Sequence, residues 1–234
     1  MKEQFIRTAM LLGENAVEQL RDKHVAVFGI GGVGSFCAEA LARAGIGALT
    51  LVDDDTVSVS NLNRQLVALQ STVGMAKTEI MAARIRDINP HCRITCFTRR
   101  YEPGCREDFF ADNYDFIADA IDSVACKTDL IYTAIQKNIP IISAMGTGNK
   151  LDPSKFVITD LSKTSGCPLA RVMRRELKQK GITHHTVLYS TEQAIKPLFQ
   201  PGCEKVVPGS VAWVPSCAGL MMAGHMIRQL LALP

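Results

Sequence analysis

No Cys-x-x-Cys pair occurs in this 234-residue chain, although eight cysteines are scattered along it at positions 37, 92, 96, 105, 126, 167, 203 and 217. That absence excludes a structural zinc site built from two such pairs. No apolar h-region follows Met1-Lys2-Glu3-Gln4-Phe5, so no secretory signal is expected and the cysteines read as free thiols in a reducing cytoplasm. Charge of one sign is also scarce. A formal net charge of +3 is too mild to mark a nucleic-acid binder by itself. With 47% apolar and 21% charged residues the chain is not disordered and can bury an ordinary core.

The charge that is present is unevenly spread. Residues 163–185 hold six Lys/Arg against one acid, Glu176, which leaves the rest of the chain slightly acidic and points weakly to a polyanionic partner.

Strands and helices alternate through the first two thirds. Val25–Phe28 and Leu49–Val52 are short apolar runs of buried-strand type, separated by a helical pattern over 33–44 that Gly45 stops. A helix is expected over 75–88, a strand near 93–97, strands at 116–118 and 139–142, and a helix over 124–137 between them. Further strands are expected at 156–158 and 187–189, flanking a helix begun by Pro168. Residues 196–210, with three prolines and two glycines, read as a mobile loop. The apolar stretch 211–233 is broken by Pro215, His225 and Arg228, so a terminal helix packed on the sheet is expected in preference to membrane attachment. The pattern predicts one α/β domain with a Rossmann-like, doubly wound, mostly parallel sheet. Residues 1–150 would form its nucleotide-binding core, and 151–234 a substrate-facing, dimer-supporting extension of strands and a terminal helix.

Gly29-Ile30-Gly31-Gly32-Val33-Gly34 lies between a strand and a helix, where glycines allow a tight turn, close phosphate approach and helix packing. Asp53, nineteen residues beyond Gly34, ends the next strand and could hold ribose hydroxyls. This much describes an NAD enzyme equally well. The continuation does not: the turn Ser60–Gln65 projects Asn61 and Arg64 together, and Lys77 stands in the first turn of a helix, where an anion would explain it. Asp122 follows an apolar strand at the carboxyl edge of the sheet. It suits Mg²⁺ beside a triphosphate, or a cap for the helix at 124.

These motifs resemble the ThiF/MoeB/HesA-type adenylating enzymes, the bacterial form of the ubiquitin-activating superfamily. The resemblance rests on Gly-x-Gly-Gly-Val-Gly, Asp-x-Asp-x-Val-x-x-Ser-Asn-x-x-Arg-Gln, Gly-x-x-Lys and the Asp after the fourth strand. It implies ATP and Mg²⁺, with Asp53 on ribose, Asn61, Arg64 and Lys77 on phosphates, and Asp122 acting with the metal. The nucleotide-contacting set would be Gly29, Gly31, Gly32, Gly34, Asp53, Asp55, Asn61, Arg64, Gln65, Lys77 and Ser123. Arg7 matches a family arginine that reaches the partner subunit's triphosphate, which implies a homodimer and adds Arg7 to Arg64, Lys77 and Asp122 as catalytic residues.

Thr159–Thr164, Pro168-Leu169-Ala170 and Tyr189–Glu192 are similar to motifs of one subfamily, which activates the carboxylate of threonylcarbamoyladenosine in tRNA and closes it to an oxazolone. A basic stripe of Arg171, Arg174, Arg175 and Lys178, with Lys163 nearby, would suit the tRNA backbone, or would simply be a solvated helix face. The subfamily often carries Asp where this chain has Cys167, and the zinc cysteines of sulfur-carrier activators are absent. Alternatives are adenylation of a sulfur carrier's C-terminal glycine, a non-catalytic nucleotide-binding adaptor working with a cysteine desulfurase and sulfur acceptor, and an NAD oxidoreductase. For thiolate chemistry the candidates are Cys167, beside a helix start and near Lys163 and Arg171, and Cys203 on the loop.

Overall fold

A computed structural model describes residues 3–199, 202 and 207–233. Two short helices that the periodicity does not announce come first, α1 (Ile6–Leu12) and α2 (Glu14–Arg21). β1 (His24–Phe28), α3 (Gly34–Ala44) and β2 (Ala48–Val52) follow, with Gly45 in the left-handed region ending α3. Next come α4 (Lys77–Ile88), β3 (Arg93–Phe97), α5 (Arg106–Phe109), β4 (Phe116–Asp119) and α6 (Val124–Gln136). β5 (Ile141–Ala144), β6 (Phe156–Asp160), α7 (Pro168–Gln179), β7 (Thr186–Ser190) and α8 (Trp213–Leu230) complete the chain.

The seven strands form one sheet in the order β3-β2-β1-β4-β5-β7-β6. All pairs are parallel except β6 with β7, where the chain turns back at the edge. β5 starts two residues later than the sequence suggests, because Pro140 cannot donate to a ladder; its carbonyl instead accepts from Ile117 N.

Helices cover both faces. Leu41 of α3, Met81 and Ile85 of α4, and Met222 of α8 share one core with β1 and β2. Leu130 of α6 and Met173 and Leu177 of α7 share a second core on the other face. The 211–233 stretch is accounted for by this packing. α8 buries Ala218, Met222 and Met226 at four-residue spacing, and each methionine withdrawn from water contributes about 1.5–3 kcal/mol. A side chain at Gly219 would meet Val33 O at 2.2 Å, so glycine lets α8 cross α3 in backbone contact. No helix among the described residues is long and apolar enough to cross a membrane. The loop expected at 196–210 has no regular element where it is described; residues 200, 201 and 203–206, Cys203 among them, lie outside the described residues.

Candidate active site

A polar cavity of about 420 Å³ opens at the carboxyl ends of β1, β2 and β4, where open α/β sheets bind ligands. The glycine turn forms its floor. Gly29 takes φ +89°, and a Cβ there would lie 2.7 Å from Ala120 O; a Cβ on Gly34 would lie 1.7 Å from Gly29 O. The protein's own backbone therefore demands these two glycines. Gly34, buried in the turn, does not line the cavity, and its packing against Gly29 requires glycine. Gly31 is different. The nearest atom to a Cβ there is Gln65 Nε2, at 3.8 Å, so no internal contact requires glycine and the space faces the cavity. Ser35 fastens the turn to the next segment, donating to Gly31 O at 2.6 Å and accepting from Leu66 N at 3.3 Å.

Asp53 braces the same turn. Its Oδ2 accepts from Ile30 N at 2.5 Å and its Oδ1 from Asp55 N at 2.9 Å. Burial raises its pKa above the ordinary carboxylate value, with the Lys77 charge working in the opposite sense. Each carboxylate oxygen retains a second lone pair, so ribose hydroxyls can still be held. Lys77, the first residue of α4, is buried with Nζ 2.6 Å from Asp55 Oδ2 and 3.9 Å from Asp53 Oδ1. The anion that its position requires is thus supplied from within the chain.

Arg64 lines the cavity while its Nη1 donates to Ser60 O at 2.8 Å and Asn63 Oδ1 at 2.9 Å. Beside it, Gln65 Oε1 is buried and has no hydrogen-bond partner among the described residues. Asn61 departs from expectation. It does not line the cavity; its Oδ1 accepts from Ser58 N at 3.1 Å and closes the short 3₁₀ turn Val59–Asn61. Ser123 departs as well, occupying the capping position of α6 without a capping bond and outside the cavity lining.

Asp122 lines the same cavity as Lys77. It is exposed and, among the described residues, makes no hydrogen bond or ion pair, so it is not the cap of α6. An unengaged carboxylate facing a phosphate-sized space is a hard oxygen donor suited to Mg²⁺. Asp53, Asp54 and Asp55 also stand within 4.8 Å of one another, but Asp53 and Asp55 are already engaged with Ile30 N and Lys77. Asp122 fits the metal better.

A further part of the lining lies outside the residues expected from the sequence. Arg99, Arg100 and Tyr101, directly after β3, line the cavity, and Tyr101 donates to Asp129 Oδ2 at 2.8 Å. Burial, then Asp129, lifts the Tyr101 phenol well above its usual range. The signal that could have found them is the rule applied to Asp53 and Asp122: residues following a parallel strand lie at the ligand edge.

Arg7, on α1, is exposed and does not reach this cavity. Of the expected basic stripe, Lys163, Arg171 and Lys178 are exposed and Arg175 pairs with Glu176 at 2.7 Å. Arg174 is a correction. Its Nη1 turns inward to Thr164 O at 2.9 Å and to Thr164 Oγ1, so it braces the segment before α7 instead of facing solvent. Cys167 is also corrected, since it is buried beside Gly146 and not presented as a nucleophile. Burial raises the thiols of Cys37 and Cys92 to about 12 and about 11, as inert core residues should be.

The family model described as the ThiF family matches residues 5–234. A tRNA threonylcarbamoyladenosine dehydratase of Bacillus subtilis is 43% identical, the match covering 99% of this chain and 96% of that protein. A protein of the same description from Escherichia coli is 44% identical over 84% of this chain and 76% of its own length. The crystal structure of the Escherichia coli tRNA N6-threonylcarbamoyladenosine dehydratase TcdA in complex with ATP superposes with a TM-score of 0.91 at 39% identity, covering 98% of this chain and 94% of that one.

Proposed function

The chain belongs to the ThiF family, and from that premise we propose that it is an ATP-dependent enzyme that adenylates the carboxylate of N6-threonylcarbamoyladenosine in tRNA and lets it cyclise. One observation carries the nucleotide half of this reading: a single cavity joins the open space over Gly31, the cations Arg64 and Lys77, and the unengaged Asp122. A nicotinamide cofactor needs no such carboxylate. The tRNA half rests on full-length similarity to dehydratases of that description.

The triphosphate lies along the glycine turn at the start of α3, where free N–H groups and the helix dipole favour anions. Asp53 holds the ribose, while Arg64 and Lys77 take the charge of the phosphates. Bound Mg²⁺, held by Asp122, would supply further charge neutralisation at the phosphates. The threonyl carboxylate oxygen attacks the α-phosphorus and pyrophosphate leaves. The carbamoyl oxygen of the same nucleoside then attacks the activated carbonyl, the oxazolone closes and AMP departs, so the net loss from the nucleoside is one water. The attacking oxygen is tethered at high effective molarity, and no protein nucleophile is required. The buried Cys167 accords with that.

We extend the proposal to a homodimer in which Arg7 serves the partner's cavity. Arg7 is remote from its own site, and beside it an apolar groove lined by Thr8, Leu12, Phe36, Leu220 and Ile227 runs between α1, α3 and α8. Exposed Met10 and Leu11 on α1 extend that apolar face. Residues 1–150 then carry the nucleotide, and 151–234 face the tRNA and support the dimer. A tRNA substrate places the reaction in the cytoplasm. A sulfur-transfer partner is not part of the proposal.

The decisive experiment incubates pure protein with ATP, Mg²⁺ and tRNA bearing threonylcarbamoyladenosine, following AMP release and analysing the nucleosides by mass spectrometry. The cyclic nucleoside should accumulate with AMP one for one; AMP release with a sulfur carrier and none with the tRNA would reject the reading. Asp122→Ala should lower kcat by about 10²–10³ while the protein stays folded.

A further inference from the structure

Beneath the cavity lies an ion pair that the adenylation chemistry leaves without a role. Lys127 of α6 and Asp119, the last residue of β4, are both fully buried, with Nζ 2.8 Å from Oδ2. Apolar residues of similar volume often stabilise a core as well as such a pair does, so stability alone is a weak reason for it. What the pair holds is more informative. The other oxygen of Asp119, Oδ1, accepts from Ile121 N at 3.1 Å. The Lys127 side chain thus grips the start of the 119–123 turn, while its main-chain N donates to Ser123 O at 2.9 Å in the first turn of α6.

The other side of that turn rests on the nucleotide floor. Ala120 N donates to Phe28 O at 2.8 Å, and Ala120 O is the atom that forbids a side chain at Gly29. Asp122 comes next, with no bond of its own among the described residues to fix its direction. The neighbouring buried imidazole, His185, sits with Nε2 2.8 Å from Ser143 Oγ and is neutral at ordinary pH. Asp119 is therefore the counter-charge of Lys127 among the described residues.

We propose that Lys127 and Asp119 are positioning residues for the adenylation: they clamp the 119–123 turn against Gly29 and thereby aim Asp122 at the triphosphate. The inference rests on the adenylation reading above. It locates part of the catalytic geometry in two side chains that the substrate never meets.

Two double variants separate positioning from bulk stability. Asp119→Asn/Lys127→Met and Asp119→Leu/Lys127→Met both delete the charges, but only the first keeps an acceptor for Ile121 N. AMP release with the modified tRNA gives kcat and the KM for ATP, and thermal melting is recorded in parallel. The Asn/Met double, which keeps only the acceptor for Ile121 N, should lose about tenfold in kcat and the Leu/Met double about a hundredfold, each with an ATP KM within about threefold; parental kcat in the first overturns the role of Lys127. Equal kcat in the two doubles, or kcat and KM shifting together, would overturn the proposal. Should the Leu/Met double not fold, Lys127→Met is measured alone and in the Asp122→Ala background. Positioning predicts that its effect on kcat vanishes there, and additive losses sink the idea. A parent that releases no AMP with modified tRNA refutes the adenylation reading instead.

Discussion

The rim of the glycine turn and the outer face of α7 both carry cations that could meet phosphate, yet the protein treats them differently. Lys77 is sunk to 5% side-chain exposure with two carboxylates around it. Arg171 and Lys178 stand in solvent with no side-chain partner among the described residues. A buried, braced cation meets one ligand in one geometry; exposed flexible cations follow a backbone whose path varies. In the proposed reaction the first region would suit a small nucleotide and the second the surface of a large polyanion. Arg174 marks the boundary between them, since it lies on α7 but is spent on Thr164.

The contrast can be broken most severely at the floor. Gly34→Ala places a methyl 1.7 Å from Gly29 O, and the variant should lose about 3 kcal/mol or more of stability or fail to fold; a melting temperature equal to the parent's would refute the packing argument.

A second test concerns what burial does beneath the rim. Desolvation, with Lys127 adding repulsion, pushes the His185 pKa down to about 3. An unfolded imidazole binds its proton near pH 6.5, so between pH 6.5 and about 3 the unfolded state holds the extra proton. The stabilising contribution is complete above pH 6.5 and is lost as pH falls through that window, amounting to about 2 kcal/mol between pH 7 and pH 5. Urea melts at the two pH values should show a smaller difference for His185→Gln than for the parent.

Gly31→Ala sharpens the comparison within the turn itself. Because nothing internal needs that glycine, its melting temperature should stay near the parent's while the KM for ATP rises about tenfold, as a methyl enters the phosphate's space. The smallest effect belongs to α7. Arg171→Glu/Lys178→Glu should raise the KM for tRNA about threefold to tenfold and flatten its salt dependence, leaving the KM for ATP unchanged. An equal change in both KM values would mean that the two regions are not separate.

What the sequence discloses follows the same division. Strands buried on both faces, such as β1 and β2, announce themselves as unbroken apolar runs, and β3 falls within the expected residues. Glycines demanded by backbone contact are legible because no other residue fits. Asn61 and Ser123 show that a motif gives residue identity without side-chain direction, since Asn61 turns back on its own backbone. α1 was hidden because it leaves Met10 and Leu11 exposed and so shows no one-sided pattern. Lys127 and Asp119 were beyond reach, since a pair eight residues apart across a strand-to-helix turn has no periodic signature.

The Lys77–Asp55 contact has a thermodynamic consequence for turnover. In the proposed reaction, a lysine already satisfied at 2.6 Å would not simply gain a phosphate; it would exchange one anion for another. Triphosphate binding is then a competition against a tethered carboxylate that never diffuses away, so part of the electrostatic attraction is cancelled before it is felt. On loss of pyrophosphate, the same carboxylate would reclaim the ammonium group. The site would thereby be spared an uncompensated buried charge between cycles, and its products would be held less tightly than the cation alone would hold them.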